Sequence, residues 1–158
     1  MLPGCLVDDP PAFIQPKRTP PRLDHYRARP PLSQDINARD GELLEFSIPV
    51  ASEDVGEQLV TQSYIGKRLI NSVAMPPSTL DDPEERLVKF NYQVLRDLVG
   101  YCHVITLRVG HASTLPDANG PPLDPSDVAV AYWDVIINFP SDGTTTPVCP
   151  LEDEATPR

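Results

Sequence analysis

The sequence predicts an α+β domain, a mainly antiparallel sheet covered on one face by one principal helix. Two observations carry this reading. Residues 83–99 open and close on helix signals, and the stretches Tyr101–Val109 and Val128–Phe139 alternate as strands do. A third, the placing of the prolines, sets the domain limits. Eight of the twenty prolines fall in the first 40 residues. A proline removes a backbone donor and fixes φ, so this stretch is neither an interior helix nor a central strand. The expected organisation is an extended proline-rich arm over 1–40, an α+β domain over 41–140 and an acidic irregular tail over 141–158.

In chain order, Leu44, Phe46, Ile48 and Val50 alternate with Glu45, Ser47 and Pro49, which predicts a strand over 43–50, with Pro49 marking either an edge strand or the strand end. Residues 52–75 read as a short helix and then a strand over Leu69–Met75. Ser52 stands as the N-cap, with Glu53 and Asp54 in an acidic first turn. The same stretch also reads as two short strands around Gly66-Lys67. The principal helix is placed at 83–99. Asp82 would cap it, Pro83 would sit at the first helical position, Glu85 at the third, and Gly100 would end it. Leu87, Val88, Val94, Leu95, Leu98 and Val99 recur at three- and four-residue spacing. Ala129, Ala131, Trp133, Val135, Ile137 and Phe139 form an apolar strand face expected to pack on that helix.

The net charge of −10 is unevenly spread. The arm holds six basic and five acidic residues, and the rest of the chain seven basic and eighteen acidic. A mildly basic arm leaving an acidic body can orient the chain against a partner. The acidic body argues against broad nucleic-acid binding, leaving at most weak contact through the basic segment 17–29. Three separated cysteines form no disulfide framework. Cys102 in a strand is expected as a free buried thiol, in a reducing compartment. The N-terminus shows no signal peptide and no apolar run is long enough to span a bilayer, so the expected place is the cytoplasm or an assembled particle.

No catalytic, cofactor or metal motif is present. The loop 111–127 contains His111, Ser113, Asp117, Asn119, Gly120, Asp124 and Asp127. Asp117-x-Asn119-Gly120 looks like a fragment of a calcium loop, but Leu115 falls at the first ligand position and Ser126 where a bidentate Glu is needed. A catalytic grouping of His111, Ser113 and Asp117 requires a meeting in space that sequence alone does not provide. The favoured reading is a proline-stiffened contact loop, with His111, Asp117, Asn119 and Asp124 as partner-binding residues. In the arm, Phe13, Ile14, Arg18, Arg22, Tyr26, Arg27 and Arg29 are the partner-binding candidates. The function expected is a non-enzymatic structural or assembly subunit, such as a virion or particle component, whose arm contacts neighbouring protein subunits. The alternatives are an adaptor that docks its arm in a peptide-binding module, and a hydrolytic or metal-dependent enzyme using the 111–127 loop.

Overall fold

The computed structural model describes residues 18–77, 85–95, 102–115 and 120–137. These build two β-sheets packed face to face. The strands are β1 (Arg22–Leu23), β2 (Ile36–Ala38), β3 (Leu43–Ala51), β4 (Leu59–Ile65), β5 (Arg68–Met75), β6 (Glu85–Gln93), β7 (Cys102–His111) and β8 (Val128–Ile137). One sheet has the order β1-β3-β6 and the other β2-β8-β7-β4-β5. All neighbours run antiparallel except β2 and β8, which are parallel.

The principal helix is overturned, and with it the α+β class. The described residues contain no α-helix, only two 3-10 turns at His25–Arg27 and Pro125–Asp127. Residues Glu85–Gln93 instead form β6, paired along its length with β3. The physical reason lies in the same residues. Val88, Phe90, Tyr92 and Val94 alternate with Lys89, Asn91 and Gln93, and the first set is buried. A β-branched and aromatic set at period two favours a strand over a helix, and pairing with β3 outweighs the capping signals.

The short helix expected to begin at Ser52 is likewise replaced by a turn. The Asp54 N–H donates to Ser52 Oγ at 3.3 Å, so the expected cap residue closes a local turn that no helix follows. Residues 59–75 form the hairpin β4–β5, with Ile65 paired to Arg68 across Gly66-Lys67. Gly66 has φ 55°, the left-handed backbone that a two-residue hairpin turn needs. The strands expected at 43–50, 69–75, 101–109 and 128–139 correspond to β3, β5, β7 and β8. The apolar face of β8 packs on the other sheet rather than on a helix. Trp133 meets Phe46 and Phe90 edge-on, with ring centroids 5.2 and 5.9 Å away, and those two rings stack at 4.9 Å.

From Arg18 onward, the predicted arm lies against its own sheets. β1 pairs with β3, Arg29 bridges Ser47, and β2 adds an edge to β8. The Arg29–Pro30 peptide bond is cis. Trp133 Nε1 donates to the Pro30 carbonyl at 2.8 Å, joining this segment to the centre of the core. The expectation of a free thiol at Cys102 is also overturned. Cys102 is disulfide-bonded, with its partner outside the described residues, and such a bond removes the ground for a reducing compartment.

Strand directions place one set of loops at one end of the sandwich. β3 ends there at Ala51, β4 begins there at Leu59, β7 ends there at His111 and β8 begins there at Val128. Residues 18–21 enter at the same end, because Arg22 pairs with Ala51.

Candidate functional site

The loop end is held together by a buried polar network. His111, the last residue of β7, is fully buried, and Asp127, just before β8, is 4% exposed. His111 Nδ1 lies 2.8 and 2.9 Å from the two carboxylate oxygens of Asp127. The Thr114 hydroxyl lies 2.6 Å from Asp127 Oδ2 and 2.9 Å from the His111 carbonyl, so it has two acceptors for one proton. The ladder of β7 and β8 closes at Gly110 and Val128, so the next residue out on β7 and the one before β8 meet across the base of the loop. A Cβ at Gly110 would stand 3.2 Å from the Asp127 carbonyl oxygen and from Val128 Cγ2, and glycine allows this approach. Above the base, the Leu115 N–H donates to the His111 carbonyl at 2.9 Å and the Leu123 N–H to the Thr114 carbonyl at 2.8 Å.

The β3–β4 loop joins this base. The Ala112 N–H donates to the Gln58 carbonyl at 2.9 Å. Asp54 Oδ2 lies 3.4 Å from His111 Nε2 and accepts the Thr19 N–H at 3.0 Å. The entering segment Arg18–Arg22 lies along this acidic loop. Arg18 donates to Ser113 Oγ and, at 3.2 Å, to Glu57, and Arg22 donates to Glu53 at 2.9 Å. Each exposed ion pair contributes at most about 1 kcal/mol. Four polar contacts set on one extended segment nonetheless fix its register.

Of the residues proposed from sequence, Arg18, Arg22 and His111 converge at this end. His111 is fully buried and belongs to the network at the loop base. Asp124 lies in the same loop and caps a short turn, accepting from Ser126 N and Oγ at 2.9 and 2.6 Å. Arg27 and Arg29 lie away from it. Arg27 pairs with Asp24 at 2.6 Å and also with Glu85, and Arg29 donates to the Ala28 carbonyl at 3.1 Å. Tyr26 is 97% exposed. Phe13, Ile14, Asp117 and Asn119 lie outside the described residues. Asp54, Glu57, Glu53, Thr114 and Asp127 complete the site and were not proposed as contact residues. A charged run at 53–57 beside a basic arm was the available signal for the first three. The candidate nucleophile Ser113 accepts from Arg18 and is not a partner of His111, whose ring addresses two carboxylates. Among the described residues, no group of three or more His, Cys, Asp or Glu side chains is disposed to hold a metal ion.

Asp24 caps the 3-10 turn next to this segment, accepting from the Tyr26 and Arg27 amides at 3.2 and 3.3 Å. Its side-chain bond with Arg27 holds the carboxyl below the ordinary value of 3.8. A depressed carboxyl contributes stability above its unfolded value and loses it as pH falls through its folded value. Acid titration is therefore expected to move the Tyr26 and Arg27 amide resonances together in one step below the ordinary aspartate range. Asp24→Asn should remove that step, and persistence of the step in the variant would contradict the assignment.

The strand order defines the class of fold. β1, β3 and β6 stand where strands A, B and E stand in an immunoglobulin-type sandwich, and β2, β8, β7, β4 and β5 where A′, G, F, C and C′ stand. No family model matches the chain, and no curated protein matches it. Among solved structures, the chain is similar to the CARDB domain of a Pyrococcus furiosus protein, crystallised in complex with di-metal ions. The identity is 16%, the match covers 74% of this chain and 93% of that one, and the TM-score is 0.42. It is also similar to a solution structure of a Pyrococcus furiosus CARDB domain, at 15% identity over 75% of this chain and 95% of that one, with a TM-score of 0.39.

Proposed function

We propose that this chain is a non-enzymatic assembly module whose acidic loop end receives a basic extended segment. In the lone chain the segment is its own Arg18–Arg22, and in an assembly it is that of a neighbouring copy. The observation that supports this reading is the seating of Arg18, Thr19 and Arg22 on Glu57, Ser113, Asp54 and Glu53. The loop 52–58 carries three carboxylates and no basic residue, so it complements the basic segment in charge.

The seating is suited to exchange. Arg22 and Glu53 side chains are 74% and 54% exposed, and those of Arg18 and Glu57 are 41% and 38% exposed. Solvent-screened pairs of this kind are individually weak. β1 adds only two residue pairs to β3, so releasing the segment from its own chain breaks few interactions. A second copy offers the identical receptor, and exchange of an identical element is a low-cost route to a dimer. The enzyme reading requires an accessible imidazole, whereas His111 is buried.

Sedimentation of the full chain over a range of concentrations tests the proposal. A dimer is expected that forms at high concentration, weakens with added salt and disappears in the double variant Arg18→Glu with Arg22→Glu. A salt-independent monomer at all concentrations would contradict it.

A further inference from the structure

The His111 ring has one nitrogen that the network does not use. Nδ1 faces both oxygens of Asp127, which makes it the N–H donor in either charge state. Nε2 is buried, has no hydrogen-bond partner among the described residues, and points toward Asp54 Oδ2 at 3.4 Å. That oxygen is also the acceptor of the Thr19 N–H. With a neutral ring, a lone pair on Nε2 faces an anionic oxygen, and neither atom has a proton to give. With a second ring proton, Nε2–H faces the carboxylate, and the contact becomes a charge-assisted hydrogen bond.

We propose that His111 is a proton-operated anchor for the segment seated on the loop end. With its second proton it fixes the Asp54 carboxylate in the position that holds the Thr19 backbone. Without that proton it leaves Asp54 unanchored and the segment loose. This deepens the assembly reading above and rests on it, since the regulated contact is the receptor's own grip. Among the described residues, the groups that bear on the ring come from every element around it. Asp127 and Thr114 belong to the β7–β8 loop and Asp54 to the β3–β4 loop, while Leu59 of β4 is the apolar neighbour paired with His111. The charged side chains one step further out are Arg18 and its partner Glu57. Among the described residues, two carboxylates therefore flank the ring directly.

Hydrogen exchange of the Thr19 amide in the full-length protein, at concentrations where it is monomeric, tests the proposal. Exchange is followed from about pH 5.5 to about pH 8, the range in which histidine is the side chain that can switch charge. One linked proton changes protection by at most about tenfold per pH unit. After correction for intrinsic exchange, protection is expected to fall as pH rises across this range. Asp54→Asn removes the negative charge that binds the second ring proton, so in that variant the dependence should flatten. Ring nitrogen shifts of His111, assigned with His111→Gln, should show Nε2 gaining its proton in step with protection. The proposal is overturned if protection is independent of pH in the native chain, if Asp54→Asn keeps the native dependence, or if Nε2 stays unprotonated while the segment is held. Because exchange is read in the lone chain, a failed anchor leaves the sedimentation result untouched, and a failed dimer leaves this result untouched.

Discussion

Trp133→Ala is expected to destabilise the protein by about 4 kcal/mol, because removing a fully buried indole costs roughly 3–5 kcal/mol. Trp133 is the hub between the sheets. It packs on Phe46 and Phe90 of the facing sheet and donates to the Pro30 carbonyl. Truncation opens a cavity against two rings and frees the segment leading to β2. Domains of this size are stable by roughly 5–15 kcal/mol, so the variant should lose from about a quarter to most of its stability. Trp133→Phe separates the two contributions. It keeps most of the ring packing and loses the hydrogen bond, and should cost less than half as much. Urea unfolding followed by far-ultraviolet circular dichroism is the measurement, since the chain's single tryptophan is the residue removed. Equal loss in both variants would show that the bond to Pro30, rather than the packing, dominates.

Asp127→Ala is expected to be the next most damaging change, at about 3 kcal/mol, the scale for leaving a buried polar partner without its acceptor. It strands the Nδ1–H of His111 at the closed base of the loop and takes away one of the two acceptors of Thr114. For a chain of this length the melting temperature should drop by about 10 °C. Asp127→Asn retains one acceptor and should recover part of the loss. The damage should spread to the seated segment, because His111 and Asp54 share its support. A substitution at Asp127 with no effect on either melting or Thr19 protection would remove the network from the account.

The parts of the fold that could be read from sequence are those where burial and alternation coincide. β8 presents a wholly apolar face and β7 nearly one, so period two is plain in both. β6 was hidden by Asp82, Pro83 and Gly100, residues that signal helix ends, and by Leu87, an exposed apolar residue that breaks the alternation. β4 was read only as the alternative to a short helix, for the opposite reason. Its interior face is Leu59, Thr61, Ser63 and Ile65, and two of these are polar residues that pattern reading assigns to solvent. The loop 111–127 was singled out for its polar residues. His111 and Asp127, however, are 16 positions apart, and only the β7–β8 register brings them together. Asp54 reaches them through a different pair of strands, and nothing local in the sequence points to it. The basic segment of the arm was legible as charge. Its seat was not, because composition does not say whether a basic segment meets its own acidic loop or another chain's.

Charge-swap sedimentation tests the central claim most directly. One full-length chain carries Arg18→Glu and Arg22→Glu, and the other carries Glu53→Arg and Glu57→Arg. In each alone, segment and loop have like charge, so each is expected to sediment as a monomer. Mixed in equal amounts at low salt, each segment finds an opposite loop on the other chain, and a heterodimer should form that dissociates as salt is raised. A mixture that stays monomeric at concentrations where the native chain dimerises would contradict an exchange of this segment between copies.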